Sequence, residues 1–155
     1  MHSIDAKLNE LGLVLPTPSA TVANYMPYSI SGNLVFISGQ LPMRNGEIVF
    51  KGKVGVDFST EQAQDAARLC GLNIVAQLKV ALNGDWSRLV KCVRLGGFVN
   101  CTPDYTDQPK VINGASDLMV DILGADIGRH ARAAVGVNAL PLGSVTEVEA
   151  IFEIV

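Results

Sequence analysis

Residues 59–82 carry the feature that most constrains the fold, an uninterrupted apolar pattern with the period of a helix. Ser59 and Gln62 have the spacing of a capping box at its start, and Asn83-Gly84 favours termination at its end. Between these signals, small and apolar side chains recur at helical spacing: Ala63, Ala66, Ala67, Cys70, Ile74, Leu78 and Ala81. They mark one buried face. A helix with one apolar face must lie against another layer of the fold.

Strand-like segments lie on both sides of this helix. We expect strands at residues 26–31, 33–38, 47–52, 89–100, 132–139 and 145–154, and further helices at residues 4–11 and 108–124. Asn45-Gly46 predicts a tight hairpin, because both residues tolerate positive φ. The segment 38–42, with its glycine and proline, is expected to be a loop. Gly96-Gly97 lies within a strand pattern and indicates a bulge or close packing.

The order of these elements is typical of an α+β fold in which two helices cover one face of one mixed sheet. Residues 1–155 contain no linker or repeat, and their number is ordinary for one domain. The other sheet face is left without a helix. Its last strands would present Val135, Val137 and Ile151 on one parity, or Ala134, Ala150 and Phe152 on the other. Packing against copies of the chain around a symmetry axis would cover this face.

Composition argues against several classes of function. The net charge is −3 without a basic stripe, so a nucleic-acid partner is not expected. Three widely spaced cysteines form neither a disulfide framework nor a zinc pattern. The N-terminus does not have the pattern of a signal peptide, and no apolar run is long enough to span a membrane. We therefore expect a cytoplasmic protein without a metal or a membrane partner. The low charged share of 17% fits either an oligomer interface or a core rich in alanine and valine.

Few residues could carry chemistry. His2, at a terminus expected to fray, and His130 are the only histidines, which argues against a Ser-His-Asp triad or a metal cluster. Arg132 opens a strand of small and apolar residues, where a guanidinium needs an acceptor. It could bind a carboxylate through two parallel hydrogen bonds, or it could pair with a local acid.

Acidic, aromatic and amide side chains supply further candidates. Glu147, Glu149 and Glu153 share one face of the last strand, by its period of two. They form either a solvated face or, for one of them, a group that orients water beside Arg132. Tyr25 and Tyr28 flank Met26-Pro27, and Asn113 lies in the second helix. Packing for the tyrosines, and an ordinary polar helix position for Asn113, are the simplest interpretations.

Three motifs occur in order: SGNLVFISGQ at residues 31–40, RAAVGV at 132–137, and Leu140-Pro141 followed by EVEA at 147–150. With them the chain, from about Ala23 to Val155, resembles the RidA/YjgF family of 2-iminobutanoate/2-iminopropanoate deaminases, also called endoribonuclease L-PSP proteins. It is most similar to a longer branch, which has residues like 23–25 before the first strand and like 104–109 before the second helix.

The resemblance implies a chorismate-mutase-like homotrimer with three clefts between subunits, which hydrolyses 2-imino acids to 2-oxo acids and ammonia without a cofactor. It implies that Arg132 binds the substrate carboxylate and that Glu147 positions water. The further substrate-binding residues that it implies are Tyr25, Ser38, Gly39, Asn113 and Ala134. Gly39 and Ala134 would act through their backbone, and many members have cysteine in place of Ala134. Tyr28 is the rival of Tyr25, which matches if Gly32 anchors the alignment.

Three other functions remain as alternatives. The first is a non-catalytic or regulatory trimer that binds small carboxylates through the same cleft. The second is RNA cleavage, as one family name suggests, but the acidic balance and the lack of a catalytic histidine argue against it. The third is chorismate mutase activity, which rests on analogy of fold alone.

Overall fold

The computed structural model describes residues 2–18 and 24–155, so Ala23, where the resemblance begins, lies outside them. The described elements in chain order are α1 (Ser3–Glu10), β1 (Tyr28–Ser31), β2 (Leu34–Gln40), β3 (Met43–Arg44), β4 (Glu47–Ile48), α2 (Thr60–Ala81), β5 (Leu89–Asn100), α3 (Gln108–Leu123), α4 (Ala125–Gly128), β6 (Ala131–Val137) and β7 (Thr146–Ile154). The α+β class predicted from the sequence is confirmed.

Five of the strands form one mixed sheet, in the order β1-β2-β7-β5-β6. The pair β5–β6 is parallel, and the other neighbouring pairs are antiparallel. Parallel neighbours need a crossover connection, which here contains α3 and α4. β6 therefore lies at an edge of the sheet, with α3 beside it. A separate two-stranded hairpin consists of β3 and β4.

The helices α2 and α3 cover one face of this sheet, as predicted. Along β7, alternate residues from Thr146 to Ile154 are buried, and those between them are half-buried. The Sγ of Cys70 in α2 lies 3.3 Å from the Oγ1 of Thr146, so the buried set faces the helices. We call this side the helix face and the opposite side the open face.

Two glycines permit close approach of α3 to its neighbours. A Cβ on Gly97 of β5 would come within 2.7 Å of Ile112 Cδ1 and Cγ2. A Cβ on Gly114 would overlap the backbone carbonyl of Gln64 in α2. The predicted close packing at Gly97 is thus confirmed, whereas the irregularities of β5 pairing lie between residues 89 and 94. These contacts fix where α3 places its polar side chains.

Several predicted boundaries agree with the structure and others are wrong. The capping box of Ser59 and Gln62 is present, and β5 has the predicted bounds. At the N-terminus, where fraying is expected, His2 is the N-cap of α1 and its side chain accepts a hydrogen bond from Ile4 N–H. The predicted loop at residues 38–42 is wrong in its first part, because β2 continues through Gln40 to pair with β7.

Two more differences concern short elements. The strand predicted at residues 47–52 ends at Ile48. Beyond it the chain turns toward the segment before β7, where Phe50 O accepts from Val145 N and Lys51 pairs with Ser144. The short helix α4, absent from the prediction, lies between α3 and β6.

The open face is apolar at several positions, with the first of the two predicted parities. The residues on it include Val135, Val137 and Ile151, together with Phe36, which is 40% exposed, and Phe98. Within residues 2–18 and 24–155, no helix is both long and apolar enough to cross a bilayer.

Candidate functional site

Arg132 lies on the helix face, where α3 holds one end of its guanidinium. Its partner in the β5–β6 register is Leu95, which is fully buried on that face. Arg132 Nη1 donates to Asn113 Oδ1 at 2.8 Å and to Ser116 Oγ at 3.1 Å. Because Nη1 carries two hydrogens, both are committed to α3.

The rest of the guanidinium is not used by the described part of the chain. No hydrogen bond from Nε or Nη2 of Arg132 is formed there, and no acid lies within ion-pair distance. The pairing with a local acid that the sequence left open is therefore not seen. Arg132 is half-buried and presents an edge of N–H donors suited to a planar anion.

A chain of hydrogen bonds continues from Arg132 through Ser116 to His130. Ser116 Oγ lies 2.9 Å from His130 Nε2, and His130 Nδ1 lies 2.6 Å from the carbonyl oxygen of Gly128. The sequence patterns do not predict this network, since they present His130 only as a candidate for a triad or a metal site. The one available signal was that His130 stands two positions before Arg132, with the same strand parity.

Glu147 and Gly39 form a second group, on the open face. Glu147 of β7 pairs with Phe98 of β5, and its carboxylate lies directly over Gly39 in β2. A Cβ at Gly39 would overlap the Glu147 carboxylate, so glycine makes this approach possible. Burial raises the pKa of the Glu147 carboxyl above its ordinary value of 4.5, and the charge of Glu149 raises that pKa further.

Ser38 connects this group to the preceding segment. Its backbone N–H donates to Pro27 O at 2.9 Å, and its hydroxyl donates to Met26 O at 2.7 Å. The hydroxyl thus positions the chain beside Tyr25, which is 58% exposed. Tyr28, its rival in the alignment, lies in β1 and packs against the core. Of the two tyrosines, Tyr25 has the freer side chain.

The structure brings the predicted residues together in two sets rather than one. Arg132 contacts Asn113 on the helix face, with Ala134 on the same face opposite Gly97. Gly39 and Glu147 lie on the open face, and β5 separates β6 from β7. A single chain does not place Arg132 and Glu147 in one cleft.

Other features of the described residues belong to neither set. A pocket of about 740 Å³ lies between residues 12–18, the β3–β4 hairpin and α2, and none of the predicted site residues lines it. No group of three or more metal-binding side chains occurs in the described residues. Burial raises the pKa of Cys70 and of Cys92 to about 12, so neither thiol is a nucleophile near neutral pH.

Comparison with known proteins assigns the chain to a family. The family model described as "YjgF/chorismate_mutase-like, putative endoribonuclease" matches residues 5–154. Protein TCP17 of Trypanosoma cruzi is 42% identical over 151 residues, which cover 97% of this chain and 94% of that protein.

Solved structures agree with this assignment. The crystal structure of Atu1372 from Agrobacterium tumefaciens, a protein of unknown function, is 50% identical, covers 99% of this chain and 93% of its own, and has a TM-score of 0.92. The crystal structure of E. coli TdcF with bound serine is 25% identical, covers 90% and 94% of the two chains, and has a TM-score of 0.60. The chain belongs to the YjgF/chorismate mutase-like family.

Proposed function

We propose that this protein hydrolyses 2-imino acids to 2-oxo acids and ammonia, without a cofactor, in clefts between the subunits of a homotrimer. The observation that carries the proposal is the half-buried guanidinium of Arg132. It has no acidic partner in the described residues, and its Nε–Nη2 edge is free. A ligand carboxylate is the natural counter-ion for that edge.

The chemistry of this edge favours a small carboxylate. An arginine presents two parallel N–H groups that match the two oxygens of a carboxylate. A cation that is removed from water without a counter-ion is costly, so an arriving anion gains more here than at an exposed arginine. E. coli TdcF, a member of the same fold, is described with bound serine, which carries such a carboxylate.

A second copy of the chain would complete the site. Arg132 points to the helix face of the edge strand β6, whereas Glu147 points to the open face. The apolar residues of the open face, among them Phe36 and Val135, need cover from water. A trimer that buries this face can bring the β6 edge of one copy to the Glu147 carboxylate of the next.

The reaction asks little more than orientation, because an imine is already activated toward water. Arg132 holds the substrate carboxylate, while backbone groups of Gly39 and Ala134, next to Ser38 and Tyr25, fix the imine.

Glu147 holds the water that attacks the imine carbon and takes its proton. The C=N bond becomes a C–N bond as the C–O bond forms. The nitrogen, once protonated, then leaves as ammonia when the C=O bond forms. The raised pKa of Glu147 suits it to accept and return this proton.

The direct test is a coupled assay in which an amino-acid oxidase generates the imine and semicarbazide traps it. The parent protein is expected to reduce the yield of trapped imine, and Arg132→Ala is expected to lose this effect. Arg129→Ala removes an exposed arginine three positions away and serves as the matched control.

Two results would count against hydrolysis. If the parent leaves the yield of every imine unchanged but binds 2-oxobutanoate in calorimetry, the protein is a carboxylate-binding trimer instead. If it does neither, the role proposed for Arg132 is wrong.

We also propose that the protein acts in the reducing cytoplasm, which is consistent with its three free, buried cysteines.

A further inference from the structure

We propose that Ser116 and His130 are positioning residues that orient the carboxylate-binding edge of Arg132. This inference rests on the proposed role of Arg132. It adds two residues that hold the guanidinium in place and do not take part in the reaction. Its basis is the continuous network from Gly128 through His130 and Ser116 to Arg132.

The donors and acceptors of this network follow from one fixed group. The carbonyl oxygen of Gly128 can only accept, so His130 Nδ1 carries a hydrogen and donates it. In the neutral imidazole Nε2 is then an acceptor, and the Ser116 hydroxyl donates to it at 2.9 Å. With its hydrogen used in this way, Ser116 Oγ presents lone pairs to Arg132 Nη1 at 3.1 Å.

His130 therefore selects the orientation of the Ser116 hydroxyl. Without an acceptor at Nε2, the hydroxyl hydrogen is free to rotate, and it can point toward the guanidinium and oppose its N–H groups. With the acceptor, Ser116 and Asn113 together hold both hydrogens of Nη1. Two fixed hydrogens set the plane of the guanidinium, and so set the direction of its free edge.

The Gly128 anchor and Ser116 lie on helices that are packed tightly together. A Cβ on Gly128 of α4 would come within 2.9 Å of the backbone of Met119 and Val120 in α3. The carbonyl that anchors His130 is thus held against the same helix that carries Asn113 and Ser116. This packing restrains both the Gly128 carbonyl and the Ser116 hydroxyl between which His130 is held.

Variants of His130 distinguish the roles of its two ring nitrogen atoms. His130→Asn retains a donor near Nδ1 for Gly128 but has no acceptor at the place of Nε2, whereas His130→Gln reaches that place. Ser116→Ala removes the hydroxyl, and Ser116→Thr retains it. We expect Ser116→Ala and His130→Asn to weaken 2-oxobutanoate binding about 3- to 10-fold, as the loss of one supporting hydrogen bond implies. The Thr and Gln variants should bind nearly as the parent does.

A double-mutant cycle distinguishes positioning from a general effect on the fold. If Ser116 acts through Arg132, then Ser116→Ala has no further effect on binding in an Arg132→Ala background. A loss of binding that is equal in both backgrounds would show that Ser116 acts elsewhere, and would overturn the proposal.

The closing experiment detects the positioning of Arg132 without ligand or activity. In nitrogen-15 NMR of the parent protein, the two Nη groups of Arg132 should give separate signals, because both Nη1 hydrogens are held. Ser116→Ala and His130→Asn should merge those signals through faster rotation, and Ser116→Thr should keep them apart. Signals that stay separate in both of the first two variants would overturn the proposal. A parent with separate signals that binds no carboxylate would instead contradict the proposed function alone.

Discussion

Replacing Arg132 by alanine tests how the protein recognises its ligand. The substitution removes the free Nε–Nη2 edge, and with it two charge-assisted hydrogen bonds to a ligand carboxylate. Removing one partner of a desolvated charge pair costs about 2–5 kcal/mol. Affinity for 2-oxobutanoate should therefore fall by about 30-fold to several thousand-fold, at about 1.4 kcal/mol per tenfold change.

The same substitution should have a small effect on folding. Within the described residues, the contacts that it removes are the two hydrogen bonds from Nη1 to α3. Asn113 and Ser116 are half-buried, so water can replace the lost donor. The melting temperature should fall by only a few degrees, as expected for the loss of about 1–2 kcal/mol.

Isothermal titration with 2-oxobutanoate measures the loss of affinity, and two further variants define its origin. Arg132→Lys should recover part of the binding, because an ammonium keeps the charge but cannot form the bidentate pair. Arg129→Ala should bind as the parent does, since it removes a comparable charge from an exposed position. Parent affinity in a folded Arg132→Ala protein would refute the assignment of this edge to the carboxylate.

Four other outcomes are expected. Gly114→Ala should destabilise the protein by about 1–3 kcal/mol in chemical denaturation, because its Cβ would overlap the Gln64 carbonyl; a gain of about 1 kcal/mol from helix propensity alone would contradict this. The acid limb of the kcat/KM profile should lie above pH 4.5, since the pKa of Glu147 is raised, and Glu149→Gln should move the limb to lower pH. Between pH 4.5 and the raised pKa of Glu147, the folded state binds more protons than the unfolded state, so the contribution of Glu147 to the free energy of unfolding falls over that range and is constant above it; Glu147→Gln should remove that slope. Thiol reagents at pH 8 should not label native Cys70, whose pKa is about 12, but should label it in guanidinium chloride.

Local signals in the sequence were sufficient for most of the fold. The capping box at Ser59 and Gln62 and the turn at Asn45-Gly46 depend on backbone chemistry within a few residues, and both are present in the structure. The strand predicted at residues 89–100 has the observed bounds, because a long valine-rich run favours a strand over other secondary structure. Two helices on one face of one mixed sheet then follow from the order of the elements.

What the sequence left undetermined depends on contacts between distant segments. β2 continues to Gln40 because Gln40 pairs with Val148 of β7 beyond a register shift that starts after Ile37, whereas Gly39 and Pro42 favour a loop in the local sequence. Among the residues that the structure describes, Arg132 has no acidic partner, which is a property of the packed structure that no sequence pattern could supply. The place of His130 in the network likewise depends on α4, a helix of one turn that leaves little periodic signal. The roles of Glu147 and Tyr25 are still predictions.

The most direct measurement of a two-copy site for imine hydrolysis uses two inactive variants together. Arg132→Ala and Glu147→Gln each remove one half of the site and should each lose hydrolysis. Refolded together in equal amounts, they form mixed trimers in which about a quarter of the clefts combine an intact Arg132 with an intact Glu147 from the next copy. The mixture should therefore recover about a quarter of the activity of the refolded parent. A mixture as inactive as its two components, beside an active parent, would contradict a site that is shared between copies.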